Sequence, residues 1–467
     1  LRITGGTTML IQNCTIIDPS QKDGSDDTHV HRPEHKHDLR IDNGMITEIG
    51  TKIDAHGSET VFDADGLWLI PGLIDLHTHL RDFGQGAKED IATGTQAAAA
   101  GGYTTVVAMA NTVPPIDNAM AYQHLQQLIA QKAVIKVLSV ANVTKGMAGQ
   151  EVTEMALLSE LGAVAFSDDG LPVTNLAVLR RALDQARAIG TLVISHPEDR
   201  DLSGAGVMNE SATSAALGLC GVTTASEAAC IAREIEVARI TGAHLHFAHV
   251  STRASINLIE RAKADGLPIT ADTTPHHLTL TDRDIGDFDP NFKMNPPLRS
   301  RADQIALVAA LSKGIIDAIA TDHAPHTAGE KGRGFNEAPC GVTGLETALS
   351  LCLERLCGLG QTHEMDDGVV RFSPVDVLRK FTSAPAKILG LPEPSITVGR
   401  NADLFLFDAQ AKWTYDPKHG HSRSKNSPFA GRTLTGRVLL TLCQGAVAFQ
   451  HEPAMGRWVS IEGLALR

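Results

Sequence analysis

No Cys-x-x-Cys pair occurs in this 467-residue chain, and its seven cysteines are odd in number and scattered. That excludes a disulfide framework or a cysteine zinc site as the organising feature, and reduced thiols in a cytoplasmic protein are expected. No apolar run approaches the roughly 18 residues that suggest a membrane-spanning helix, so no membrane partner is expected. Residues 1–12 hold no basic stretch followed by an apolar one. No secretory signal is read there, and Met9 reads as the native start. Basic residues are outnumbered 41 to 54, for a net charge of −13, and form no stripe. Nucleic acid is therefore not an expected partner. The acidic balance speaks for solubility and says nothing of substrate type. No G-x-G-x-x-G follows the first strand candidate, which argues against a nucleotide-binding doubly wound sheet.

What is present begins with an alternation. Short apolar strand candidates at 73–79, 104–110, 135–141, 163–167, 192–195, 244–249, 268–272 and 316–321 alternate with helical patterns such as 91–100, 119–131 and 176–188. The fifth connection is long, and 226–241 reads as its main helix. Strand–helix alternation implies parallel strands joined by crossovers. Eight such units over roughly 300 residues imply a (β/α)8 TIM-type barrel, here spanning 66–397. The ends differ. Segments 10–17, 38–41 and 45–49 at one end, and 402–408 and 436–442 at the other, read as short strands. Neither end alone has enough strands to bury a face. Residues 9–65 and 398–460 are expected to join in one small β-sandwich, with the barrel inserted between them. Residues 21–38 carry His29, His31, His35 and His37 among acidic residues and read as a solvated loop.

The run Pro71-Gly72-Leu73-Ile74-Asp75-Leu76-His77-Thr78-His79-Leu80-Arg81 carries the most chemistry. Residues i and i+2 of a strand share a face. His77 and His79 therefore converge on one point, as two ligands of one metal must. Arg81 follows at the strand end, where an anionic substrate group could sit. Functional residues of such a barrel gather at the C-terminal ends of its strands. Reading those ends in turn collects Asn111, the pair Asp168-Asp169, His196, His249 and the run Asp322-His323-Ala324-Pro325-His326. Imidazole and carboxylate ligands without thiolate suit Zn2+ or a neighbouring divalent transition metal. His77 and His79 would hold one ion and His196 and His249 a second, with a carboxylate from the fourth strand between them. Asp322 is placed to ligate one ion and to act as general base, then general acid.

Together these motifs resemble those of dihydroorotases of the amidohydrolase superfamily, of the long bacterial type. The likeness runs from Met9 to about Val447 and includes Lys88-Glu89-Asp90, Phe166-Ser167-Asp168-Asp169-Gly170, Phe247-Ala248-His249-Val250-Ser251 and Lys293-Met294-Asn295-Pro296-Pro297-Leu298-Arg299. The resemblance implies a zinc-dependent cyclic amide hydrolase that interconverts N-carbamoyl-L-aspartate and L-dihydroorotate in pyrimidine biosynthesis, with two Zn2+ per chain. It implies His77, His79, His196, His249 and Asp322 as ligands and Asp169 as the bridging acid, with Asp168 as the alternative. It implies that Arg81, Asn111 and His326 hold the substrate's α-carboxylate and that Asn295 contacts the ring amide. The charged, glycine-containing stretch 327–341 reads as a mobile lid, which brings Cys340 and Gly341 to the substrate.

Two departures border this expected pocket: Cys340 stands where the family usually has phenylalanine, and Asp82-Phe83-Gly84-Gln85 replaces a proline-glycine turn. Related hydantoinases and allantoinases use a carboxylated lysine as the bridge, and no lysine stands near the end of the fourth strand here. Arg81 also argues against substrates that lack a carboxylate. A non-catalytic subunit supporting aspartate transcarbamoylase is a further reading, but such proteins typically lose ligands that this chain retains. A homodimer and a complex with aspartate transcarbamoylase are the assemblies the resemblance implies.

Overall fold

A computed structural model describes residues 8–21, 36–57, 59–360 and 370–459. Strands β1 (Met9–Ile16), β2 (His37–Asp42), β3 (Met45–Gly50), β4 (Thr60–Asp63) and β5 (Trp68–Pro71) open the chain. They are followed by β6 (Leu73–Thr78), β7 (Tyr103–Ala108), β8 (Lys136–Ser139) and β9 (Leu192–Ser195). A two-stranded pair, β10 (Met208–Asn209) and β11 (Gly221–Val222), lies in the long fifth connection. Then come β12 (His244–Phe247), β13 (Ile269–Thr273) and β14 (Ala318–Ile319). The chain closes with β15 (Leu404–Thr414), β16 (Thr433–Cys443), β17 (Ala446–Gln450) and β18 (Trp458–Val459).

Strands from both ends form one nine-stranded sheet, ordered β17-β16-β15-β5-β1-β2-β3, with β4 beside β1 and β18 beside β4. The join is β5 against β15, antiparallel, with Leu404 opposite Pro71 and Phe407 opposite Trp68. Ile11, Leu39, Phe62, Leu69, Leu404 and Leu440 are buried together as its core. β5 belongs to this sheet, although the sequence reading put residues from 66 onward with the barrel. Only Gly72 separates β5 from β6, so the apolar run is continuous and carries no mark of the change. A side chain at Gly72 would collide with Thr104, which is why the crossing is made by glycine.

The larger unit holds the parallel strands. β6, β7 and β8 form one sheet and β9, β12, β13 and β14 another. Single parallel bridges join them: Ala141 to Phe166, Phe166 to Val193, and Thr78 to His323. The pairing order therefore returns to β6. The expected strand at 163–167 is reduced to the bridge at Phe166. It has little room, because Gly162 turns the chain at φ 112° just before it and Gly170 turns it at φ 79° just after. Helices Ile91–Ala100, Ala119–Lys132, Leu176–Ile189 and Thr224–Thr241 lie outside the strands. Val107, Phe166, Leu245, Phe247, Ala271 and Ile319 are among the buried residues of the common core.

Among the described residues no helix is long and apolar enough to cross a membrane. All seven cysteines are free thiols. His29, His31 and His35 lie outside the described residues. His37 is not in a solvated loop: it opens β2 and is buried, because the alternation of Leu39 and Ile41 carries the strand back to it. Asp38 beside it is also buried and accepts Asn13 N at 2.9 Å and Ile53 N at 2.8 Å.

Candidate active site

Two groups of side chains lie close enough to hold a metal ion: His77, His79 and Asp169, and Asp169, His196 and His249. Asp169 is common to both. Its Oδ1 lies 3.3 Å from His77 Nε2 and 3.4 Å from His196 Nδ1, and its Oδ2 lies 3.4 Å from His79 Nε2. Asp322 Oδ1 lies 3.2 Å from His79 Nε2 and 3.6 Å from His77 Nε2. Asp168 faces away and accepts Val143 N at 2.9 Å, Thr144 N at 3.2 Å and the Thr144 hydroxyl. Of the two adjacent acids, only Asp169 meets the histidines.

The donor set fits a divalent metal. His77 is buried, yet neither of its ring nitrogens has a hydrogen-bond partner, and His249 Nδ1 has none. Buried polar atoms are rarely left so without a function. His196 Nδ1 and His249 Nε2 lie 2.9 Å apart beside the same carboxylate. Imidazole and carboxylate together match a zinc-like ion.

The strand ends aim these groups. Asp75, buried in β6, accepts Thr321 N at 2.9 Å and the Thr78 hydroxyl at 2.7 Å, tying the first strand end to the last. Asp272 accepts His249 N at 2.7 Å and meets His246 Nε2 at 2.9 Å. Glu227, on the long helix Thr224–Thr241, accepts Ser251 N at 3.1 Å and Thr252 N at 3.0 Å and fixes the turn after His249. Arg81, His249 and Asp322 have φ of 58°, 38° and 46°. Such non-glycine conformations cost about 1–3 kcal/mol each and cluster where a side chain must be turned into a site.

The electrostatics are dominated by burial and by the carboxylates. Burial opposes a charged His77, but Asp169 and Asp322 beside it hold the imidazole up to about 9. His196 is likewise opposed by burial and held up to about 10 by Asp169 and Glu198. Burial works against the Asp322 carboxylate, and the surrounding histidines more than reverse it, so its pKa is lowered. His326 goes the other way: burial, then Arg81 and Lys88, push it down to about 3.

A cavity of about 250 Å³ opens over this centre, lined by Arg81, Asn111, Asp169, His196, His249, Asn295, Asp322, His326, Cys340 and Gly341. That is smaller than the roughly 300 Å³ and upward of drug-sized pockets and suits a small polar ligand. Arg81 is buried and its Nε has no hydrogen-bond partner in the protein. Asn111 serves the centre itself: its Oδ1 lies 3.0 Å from His79 Nδ1, and its Nδ2 donates to Asp169 Oδ2 at 2.9 Å. His326 Nε2 donates to the Cys340 carbonyl at 2.8 Å. Gly341 has φ 139°, and a side chain there would strike the Ala324 carbonyl at 2.7 Å.

The stretch 327–341 is fastened down rather than standing free. Buried Lys331 donates to the carbonyls of Pro290 at 2.8 Å and Pro339 at 2.9 Å, and Lys293 donates to that of Asn336 at 2.9 Å. The lysines were legible only as charge, and charge alone reads as solvent-facing. Phe83 is not among the residues lining the cavity. It packs on His124, ring centroids 4.9 Å apart.

Sequence reasoning passed over Glu198 and Asn426. Glu198 stands two residues after His196, and that proximity was the available signal. Asn426 gave none. It arrives from the C-terminal segment, accepts His326 N at 3.0 Å, and donates to the carbonyls of Ala324 at 3.1 Å and Gly341 at 3.0 Å.

Known proteins share both fold and sequence with this chain. The Dihydro-orotase-like family profile matches residues 66–255. In backbone the chain is similar to an L-hydantoinase from Arthrobacter aurescens, with a TM-score of 0.79, 24% identity and coverage of 95% of this chain and 96% of that one. It is similar to a dihydropyrimidinase from Brevibacillus agri NCHU1002, with a TM-score of 0.78, 24% identity and coverage of 97% and 96%. At that identity these likenesses speak for the fold alone. Sequence relatives are nearer. A dihydroorotase of Geobacter metallireducens is 44% identical over 443 residues, 95% of this chain and 100% of the relative. One of Trichlorobacter lovleyi is 42% identical over 441 residues, 94% and 99%. Identity of this order over nearly the whole of both chains puts the matter plainly: the chain belongs to the dihydroorotase family.

Proposed function

We propose that this chain is a metal-dependent dihydroorotase that interconverts N-carbamoyl-L-aspartate and L-dihydroorotate with loss or gain of water. The observation that carries the reading is one carboxylate, Asp169, shared by two histidine pairs beneath a small cavity in which buried Arg81 keeps an unpartnered N–H. The pairing order that returns to β6 supports a (β/α)8 barrel as the scaffold, with its strand ends bearing the site.

His77, His79, His196, His249, Asp169 and Asp322 are the proposed ligands of two divalent cations, taken as Zn2+. When bound, such ions supply Lewis acidity and lower the pKa of a water near them. The remaining work falls to the chain. Arg81 binds the ligand's carboxylate with its rigid fork and so orients the ring. Asp322, anionic in the site, takes the proton of the attacking water as the oxygen–carbon bond forms. It returns that proton to the ring nitrogen as the carbon–nitrogen bond breaks. Asn295 contacts the ring amide, and Asn111 holds His79 and Asp169 while bordering the carboxylate site. His326 reaches that carboxylate only by exchanging its bond to the Cys340 carbonyl. Association as a homodimer or with aspartate transcarbamoylase belongs to the same proposal, and gel filtration with and without a transcarbamoylase tests it.

The direct test is turnover of L-dihydroorotate, dihydrouracil and allantoin by one purified preparation. L-dihydroorotate is expected to be hydrolysed, with activity lost on chelation and restored by zinc. Equal turnover of dihydrouracil, which has no carboxylate for Arg81, would overturn the substrate assignment. Arg81→Lys is expected to raise KM for L-dihydroorotate about tenfold to a hundredfold, the worth of a charged hydrogen bond. Steady-state kinetics decide this, and an unchanged KM would remove Arg81 from the carboxylate site.

A further inference from the structure

His196 differs from the other three histidines in the nitrogen it turns inward. His77, His79 and His249 present Nε2 to Asp169, at 3.3, 3.4 and 3.9 Å. His196 presents Nδ1, 3.4 Å from Asp169 Oδ1. A neutral imidazole carries one N–H, and only the other nitrogen can bind a metal. His196 can therefore serve only as the Nε2–H tautomer, and its surroundings must select that form.

Glu198 is built to do so. Its Oε2 accepts Asn295 Nδ2 at 3.2 Å and lies 3.6 Å from His196 Nε2, just beyond a direct hydrogen bond but near enough for its charge to favour an N–H there. Its other oxygen, Oε1, accepts the Ser203 hydroxyl at 2.6 Å, which fixes the carboxylate's orientation. Asn295 Nδ2 and His196 Nε2 lie 3.2 Å apart. With an N–H on Nε2 that nitrogen cannot accept from the amide, so both N–H groups turn to the Glu198 carboxylate oxygen. A carboxylate only accepts. It favours an N–H at His196 Nε2 and draws the amino end of Asn295 toward itself. The carbonyl end of Asn295 is then left for the cavity that this residue lines.

On the proposed reading that His196 holds a metal ion, we infer that Glu198 is a positioning residue with two clients. It sets His196 with Nδ1 toward the metal, and it sets Asn295 to accept an N–H from the ligand.

The test uses the metal-free full-length chain, with zinc affinity read by competition with a chromogenic chelator and KM for L-dihydroorotate read at saturating zinc. Glu198→Gln, nearly isosteric, is expected to weaken zinc binding about 10- to 100-fold, as loss of a histidine's outer partner does. It is also expected to raise KM and to leave the unfolding midpoint of the metal-free protein unchanged. Asn295→Ala is expected to raise KM with zinc affinity intact. Wild-type zinc affinity in Glu198→Gln, beside weakened binding in His196→Ala, would overturn this inference and spare the metal reading. Wild-type affinity in His196→Ala would overturn the metal reading itself. An unchanged KM in Glu198→Gln would remove Asn295 as a client. Should Glu198→Gln not fold, Ser203→Ala frees the carboxylate's other oxygen. Weaker zinc binding in that variant supports the inference, and unaltered binding overturns it.

Discussion

Asp322→Asn is expected to lower kcat for L-dihydroorotate by about 10²- to 10⁴-fold, the usual worth of a positioned general acid–base. The change is nearly isosteric. Asp322 Oδ1 lies 3.2 Å from His79 Nε2 and 3.6 Å from His77 Nε2, where an amide oxygen can still act as a neutral ligand. The amide cannot accept and return a proton. Its backbone, at φ 46°, is a conformation that asparagine tolerates better than most residues, so the turn should survive. Metal content and single-turnover rate measured on one sample separate the two roles. Metal retained with turnover lost is the expected pair. A rate within tenfold of wild type would sink the acid–base role.

Asp169→Asn should be as damaging for a different reason. Asp169 is the one side chain common to both candidate metal groups, so its loss should lower the metal content below that of the wild type. The loss in affinity should exceed the roughly 10- to 100-fold that removing an outer partner costs. Asp169 also opposes burial at His77 and His196, held up to about 9 and about 10. With those pKa values raised, the metal-free site carries protons at neutral pH, and metal binding must displace them. In Asp169→Asn part of the opposition to burial is lost, the imidazoles hold their protons less tightly, and fewer protons leave on metal binding. Calorimetry in two buffers of different ionisation heat measures that number. Asp168→Asn is the internal control, because Asp168 caps the turn at Val143 and Thr144. It should lower stability and keep the metal. The reverse pattern would exchange the two acids' roles.

How much of this was legible follows from the range of the forces involved. His77 and His79 share a face by strand periodicity alone, which depends on nothing beyond the next two residues. The helices Ile91–Ala100, Ala119–Lys132 and Leu176–Ile189 begin where a capping residue precedes their patterns: Asp90, Asn118 and Asn175 cap their N-termini. The extent of the strand near 163–167 was not legible, because it depends on turns at Gly162 and Gly170 that shorten it. Nor was the choice between Asp168 and Asp169. Both follow the same apolar run, and the backbone N–H groups of Val143 and Thr144 draw one of them away.

The sequence by itself determined which residue types reach the strand ends, and hence that imidazole, carboxylate and guanidinium would meet there. Only the tertiary structure decided which atom of each faces inward. His196 turns in Nδ1 while its companions turn in Nε2. Asn426 crosses from the C-terminal segment to bond His326 N, 100 residues away in the chain. Both are matters of buried hydrogen bonds between distant segments, and a buried donor takes whatever acceptor the packed neighbours bring, not one its own sequence specifies.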